Sequence, residues 1–160
     1  MRMPYPILGL VAVMLVIGAQ TKLANAQSAP NDEIVRKVLM VALDNIGRGR
    51  CANNKPCAPA TAEEKANPPI TMAEARIVFH RGSLSGAAEV CGLDWAKRNF
   101  EPMMTYWRHT AKKNERQMAL IGIMHGITQE FGRAGFKSGC TKELREGVDR
   151  QLTFKPPTGI

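Results

Sequence analysis

The chain has 160 residues, with 22 lysines and arginines against 14 aspartates and glutamates, a formal net charge of +8. That is one domain's worth of sequence, enough to bury a single core and too short for several. The basic residues come in separated pairs, Lys97-Arg98 and Lys112-Lys113, with no interleaved aromatics. This argues against a nucleic-acid groove and leaves a solvated surface or an anionic partner.

Residues 1–26 read as a cleaved secretory signal peptide: Arg2 gives the positive start, Ile7 to Ala19 an uncharged apolar run, and Ala24-Asn25-Ala26 the small-x-small cleavage pattern. The apolar run is shorter than the ~20 residues a membrane span needs. Cleavage before Gln27 removes Arg2 and Lys22, leaving a single domain of residues 27–160 with 20 basic and 14 acidic residues. A periplasmic or secreted location follows, with no membrane span after cleavage. Cys51, Cys57, Cys91 and Cys140 all fall in this mature part. An even count in an exported chain predicts two disulfides. Their spacing matches neither a zinc ribbon nor a haem-attachment motif, so no metal and no cofactor is expected.

Helical periodicity runs through almost every segment. The first predicted helix is capped by Asn31 or Asp32, carries Ile34, Val35, Val38, Leu39, Ala42 and Ile46 on one face, and stops at Gly47. Residues 48–70 are rich in Pro, Ala and Asn and read as a loop, tied down by a Cys51–Cys57 bridge. The second helix opens on the capping box Thr71-x-x-Glu74 and runs to Cys91, with Gly92 at its end. Its expected stripe is Met72, Ala75, Phe79, Gly82, Gly86 and Val90.

The third helix is capped by Asp94, is rich in aromatics and is kinked or divided at Pro102. The fourth opens on Asn114. Between 118 and 127 its one polar residue is His125, so it is expected to be buried nearly all round and to lie at the centre of the domain. Thr141 caps a fifth helix with the stripe Leu144, Val148 and Leu152. Residues 155–160 are expected to form a loose tail, with Thr153 and Phe154 part of the same loosely held end. The prediction is an all-α, compact bundle of about five helices stapled by two disulfides.

Two of these helices share a spacing: Gly82-x-x-x-Gly86 and Gly122-x-x-x-Gly126. Glycine in a helix interior costs roughly 0.5–1 kcal/mol against alanine, so paired glycines point to a place where two backbones must approach. Short links on either side of the third helix make the second and fourth run parallel. Their ends then coincide, and a short loop brings Cys140 back to Cys91. The glycine faces are expected to touch, locked by a Cys91–Cys140 bridge. An exposed glycine face would instead serve a homodimer.

Candidate chemistry is thin. His125 is the sharpest residue: it could act as a base, a ligand or a pH switch, with Gln129 one turn on to orient it. A lone histidine on a buried helix is more often a satisfied core residue. Trp95, Tyr106 and Trp107 could line an apolar pocket, although core packing is their commoner use, and Arg108 could grip an anion. No protease, hydrolase or phosphate-loop motif is present. The expectation is a small exported helical protein that binds a protein or anionic cell-envelope component, in a stress, inhibitor, immunity or accessory role, and not by catalysis. The alternative is a small-ligand binder or enzyme using His125 and Gln129 in a glycine-lined notch.

Overall fold

The computed structural model describes residues 31–136 and 138–158; the expected signal peptide lies outside them. Six α-helices carry the fold: α1 Asp32–Asp44, α2 Ala62–Ala66, α3 Met72–Val90, α4 Glu101–Thr105, α5 Glu115–Ala134 and α6 Lys142–Leu152. Among the described residues there are no β-strands, and no helix is long and apolar enough to cross a membrane.

Each long helix begins where a side chain satisfies its first free N–H groups. Asn31, Thr71, Asn114 and Thr141 accept from Glu33, Glu74, Gln117 and Leu144 respectively. Thr71–Glu74 and Asn114–Gln117 are reciprocal capping boxes. A third box, Thr61–Glu64, opens α2 inside the segment expected to be loop. The pattern T-A-E-E at 61–64 carried that signal, which the surrounding prolines obscured.

The aromatic helix is not divided at Pro102. Wide π-helical turns, Ala96–Phe100 and Tyr106–Thr110, flank α4 and continue it in both directions. Proline cannot donate a backbone hydrogen bond. The turn before it bonds Glu101 N–H back to Ala96 O, five residues away, and this extra residue accommodates the proline.

The helix with the widest set of neighbours is α3, which meets α1, α5, α6 and the Ala96–Phe100 turn. The centre of the bundle therefore falls on α3 rather than on α5, the fourth of the predicted helices. From Arg81 to Ala88 every α3 residue except Ser83 is buried. α5 is buried along Met118, Leu120, Ile121, Met124, His125 and Thr128, but it is not buried all round: Phe131 is 54% exposed. α1 lies across the α3–α5 pair: Asp32 at its start pairs with Arg76 of α3, while Gly49 just beyond its end abuts Ala119 and Ile123 of α5.

α3 and α5 run parallel, as the link lengths imply: Gly82 lies against His125 and Thr128, Gly86 against Gln129 and Arg133. The close approach is real, but its glycines are not the four expected. A Cβ at Gly82 would sit 2.6 Å from His125 O, one at Gly86 2.5 Å from Arg133 N, and one at Gly132 2.8 Å from the Ser83 carbonyl carbon. Gly122 and Gly126 are elsewhere: a Cβ at Gly126 would meet nothing within 4 Å, and one at Gly122 only Met104, at 3.8 Å. The α5 partner of Gly86 is Gly132, because the two helices are offset so that the glycine pairs do not come level.

The disulfides are Cys51–Cys57 and Cys91–Cys140, each with Cα atoms 5.0 Å apart. The first closes a small ring, and α5 pins the rest of the long connection. Arg116 donates to Glu64, to Ala58 O at 2.8 Å and to Pro59 O at 3.2 Å, while Gln117 donates to Pro69 O at 2.7 Å. The C-terminal segment is not loose at its start. Phe154 is buried, its N–H donates to Arg98 O at 2.8 Å, and its ring packs against Tyr106.

Two outcomes test this packing by urea denaturation. Gly86→Ala is expected to cost about 3 kcal/mol, because the added methyl has only backbone to push against. Gly126→Ala should instead raise stability by about 0.5–1 kcal/mol. Replacing the Cys91–Cys140 pair by serines should cost about 4 kcal/mol for a closed loop of 49 residues, against about 2 kcal/mol for the six-residue ring.

Candidate functional site

His125 is 2% exposed and faces α3. Its Nε2 lies 3.1 Å from Ser85 Oγ. Ser85 is one of four buried polar residues that meet here, with Arg81, Asn99 and His125. Arg81 Nε donates to Asn99 Oδ1, which fixes the amide orientation. The Asn99 Nδ2 group then donates to Arg81 O and to Ser85 Oγ, each at 2.7 Å. Ser85 Oγ, which accepts from Asn99, also shares a hydrogen bond with His125 Nε2, in which the tautomer of the imidazole sets which group donates. The four side chains thus form one continuous network that starts at the guanidinium and ends at the imidazole.

That guanidinium also reaches α6. Arg81 donates to Gln151 O at 3.1 Å and to Leu152 O, the last carbonyls of the helix, where the dipole favours positive charge. Its flat group lies 5.5 Å from the centre of the Phe154 ring. Burial lowers its pKa to about 10, so it stays charged at neutral pH. The imidazole is walled by Phe100, with ring centres 4.7 Å apart, and by Trp95 at 6.2 Å. Burial, then the charge of Arg81, push the His125 pKa down to about 4.

The candidates named from sequence do not form one site. Trp95 joins His125. Gln129 does not: its amide donates to Glu89 at 2.9 Å on the surface. Gly122 and Gly126 open on a different part of α5 and enclose no notch containing both residues. Trp107 is core, 1% exposed, with its indole N–H unpaired. Tyr106 borders an outer cleft with Lys97, Pro102 and Phe154. Arg108 is exposed, 3.9 Å from Glu115, beside the Cys51–Cys57 ring. Among the described residues no group of three His, Cys, Asp or Glu could hold a metal ion.

Sequence reasoning missed Arg81, Ser85 and Asn99. A signal existed: Ala75, Val78, Gly82 and Ser85 mark one buried face of α3, and Trp95, Asn99, Met103 and Trp107 recur every four residues. Polar residues in such stripes are candidates for a buried network.

A separate cleft of about 290 Å³ opens between α3, the end of α5 and α6. Leu84, Ala87, Leu144 and Val148 form its apolar part, and His80, Ser83, Glu143 and Gln151 its polar part. Burial, then Arg81, lower the His80 pKa. Compared with protein-family models, with curated proteins and with solved structures, the chain matches none.

The His125 environment sets a pH dependence. The folded imidazole resists protonation down to about pH 4, whereas an unfolded chain binds the proton near 6.5. Between those values the unfolded state holds more protons, so stability is full above pH 6.5 and falls as the pH drops. Urea denaturation should lose about 3 kcal/mol from this group between pH 7 and pH 4. His125→Gln should flatten that part of the profile.

Proposed function

We propose that the protein is an exported helical binding protein that receives an apolar side chain of a partner protein in the cleft between α3 and α6. The cleft carries this reading. Its volume of about 290 Å³ falls just below the usual range for ligand pockets of about 300–1,000 Å³. It suits one aromatic or branched aliphatic anchor, the kind of residue that dominates binding at protein interfaces. His80, Ser83, Glu143 and Gln151 supply donors and acceptors around an apolar interior, the arrangement expected where a polar rim surrounds a buried contact. An exported setting agrees with the leader pattern of residues 1–26 and with the use of all four cysteines in disulfides.

The reading with His125 and Gln129 as catalytic or ligand-binding partners has less support. Their side chains take different partners, and the imidazole is sealed by Phe100, Trp95 and α3.

Gly147 lies in the cleft wall, where an added Cβ would meet no atom nearer than 4.0 Å. Gly147→Phe should fill the cleft without disturbing the core. A photo-crosslinker at Gln151 is expected to capture a partner that Gly147→Phe excludes. The same crosslinker at Lys37, on α1, should not capture it. Equal capture from both positions, or capture insensitive to Gly147→Phe, would refute the cleft as the binding site.

A further inference from the structure

We propose that Arg81, Asn99, Ser85 and His125 form an acid-sensitive latch, which holds the C-terminal end of α6 closed and releases it to swing about the Cys91–Cys140 disulfide. The inference stands on the buried network and does not require the cleft beside it to be a binding site.

α6 is fastened differently at its two ends. Cys140 immediately precedes its cap Thr141, so the bridge to Cys91 retains the first turn covalently. Arg145 donates to Cys91 O near the same end. The last turn is held by hydrogen bonds from Arg81 to Gln151 O and Leu152 O and from Arg98 to Asp149 Oδ1 at 2.5 Å and Asp149 O at 3.0 Å, and just beyond it by buried Phe154, whose N–H donates to Arg98 O and which must leave its place when the end opens. A helix with one covalent end and one hydrogen-bonded end can open as a flap.

The hydrogen-bonded end is joined to His125 through Arg81, Asn99 and Ser85. A proton on both ring nitrogens leaves Nε2 a donor only, so Ser85 Oγ, which already accepts from Asn99, can meet it only by accepting a second time. It also places a second positive charge beside Arg81. From α3, the ionisable groups on this side are Arg81 and, one turn beyond Ser85, Glu89, which is engaged on the surface by Gln129 and Arg133. From the 95–100 segment, Trp95 and Phe100 face the imidazole and Asn99 faces Ser85, while Lys97 borders the outer cleft and Arg98 pairs with Asp149. On α5 itself, Glu130 and Arg133 pair with each other at the surface. None of the four latch residues is a carboxylate, so the network offers an arriving charge no neutralising partner.

Burial and Arg81 keep His125 neutral until about pH 4; Trp95, one wall of the imidazole, also packs against the apolar cluster of α3 and α6, so release would loosen that wall and return His125 towards 6.5. Acid therefore favours the open state across that window. Arg98 holds the Asp149 carboxyl below its usual range, so their half-exposed pair stays charged there, but such a pair contributes little. Opening would uncover Leu84, Ala87 and Ala88 of α3 and Val148 and Leu152 of α6.

Amide hydrogen exchange of the oxidised protein tests the latch. Once intrinsic rates are corrected, protection across α6 should fall on the order of 100-fold between pH 7 and pH 4. At pH 4, α6 should exchange faster than α1, α3 and α5, which remain protected. His125→Gln should make α6 protection independent of pH over this range, and His80→Gln should leave the dependence intact. If His125→Gln does not fold, the wild-type imidazole titration followed by NMR decides: α6 protection must start to fall near pH 6.5 and level off at the imidazole midpoint. α6 exchanging no faster than α1, α3 and α5 at pH 4, a dependence removed by His80→Gln, or a fall in α6 protection that does not level off at the imidazole midpoint would each overturn the proposal.

Discussion

The guanidinium of Arg81 is buried without a carboxylate to neutralise it, and much of the structure is arranged around that fact. A charge in such a place needs several good hydrogen bonds, and removing one member of a buried charged network typically costs about 3–5 kcal/mol. Here the partners come from two other elements: the Asn99 amide from the Ala96–Phe100 turn and two carbonyls from the end of α6. Its own helix contributes Ser85, through which the network reaches His125 on α5. Nonspecific apolar packing would tolerate several positions of α6. Aiming its last carbonyls at one guanidinium selects a single position.

The network can exist only because α3 and α5 lie so close together. Gly82, Gly86 and Gly132 permit an approach that any side chain would prevent, and this puts Ser85 within hydrogen-bond reach of His125. The parallel arrangement in turn requires the chain to travel back between the two helices, which is the work of the segment from Trp95 to Thr110. Its wide turn ahead of Pro102 carries Asn99 on the inward side, buried against α3. Pro102, the close helix contact and the buried polar cluster are linked parts of one arrangement.

Much of this was legible locally. The caps at Asn31, Thr71, Asn114 and Thr141 act on neighbours two or three residues away, so they can be read without knowing the fold. Both disulfides followed from the even number of cysteines and from link lengths. The contact between α3 and α5 was legible in kind but not in detail. A glycine spacing says that something approaches closely, and the offset of the two helices decides what. The same spacing at Gly122 and Gly126 has no such partner. His125 was readable as a residue in need of satisfaction, but Gln129, the neighbour nearest in sequence, is not what satisfies it.

By itself, the sequence determined the helical class, where each long helix begins, the pairing of its cysteines and the parallel course of α3 and α5. These depend on periodicity, capping and chain reach, which act over short separations or through simple geometry. Tertiary structure alone decided that Arg81, Ser85, Asn99 and His125 belong together. Arg81 and Asn99 are 18 residues apart, Ser85 and His125 are 40 apart, and Arg81 and Leu152 are 71 apart. A hydrogen bond forms over about 3 Å and in a preferred direction. No pattern along the chain encodes that meeting, which exists only once three helices and the turn before α4 are packed.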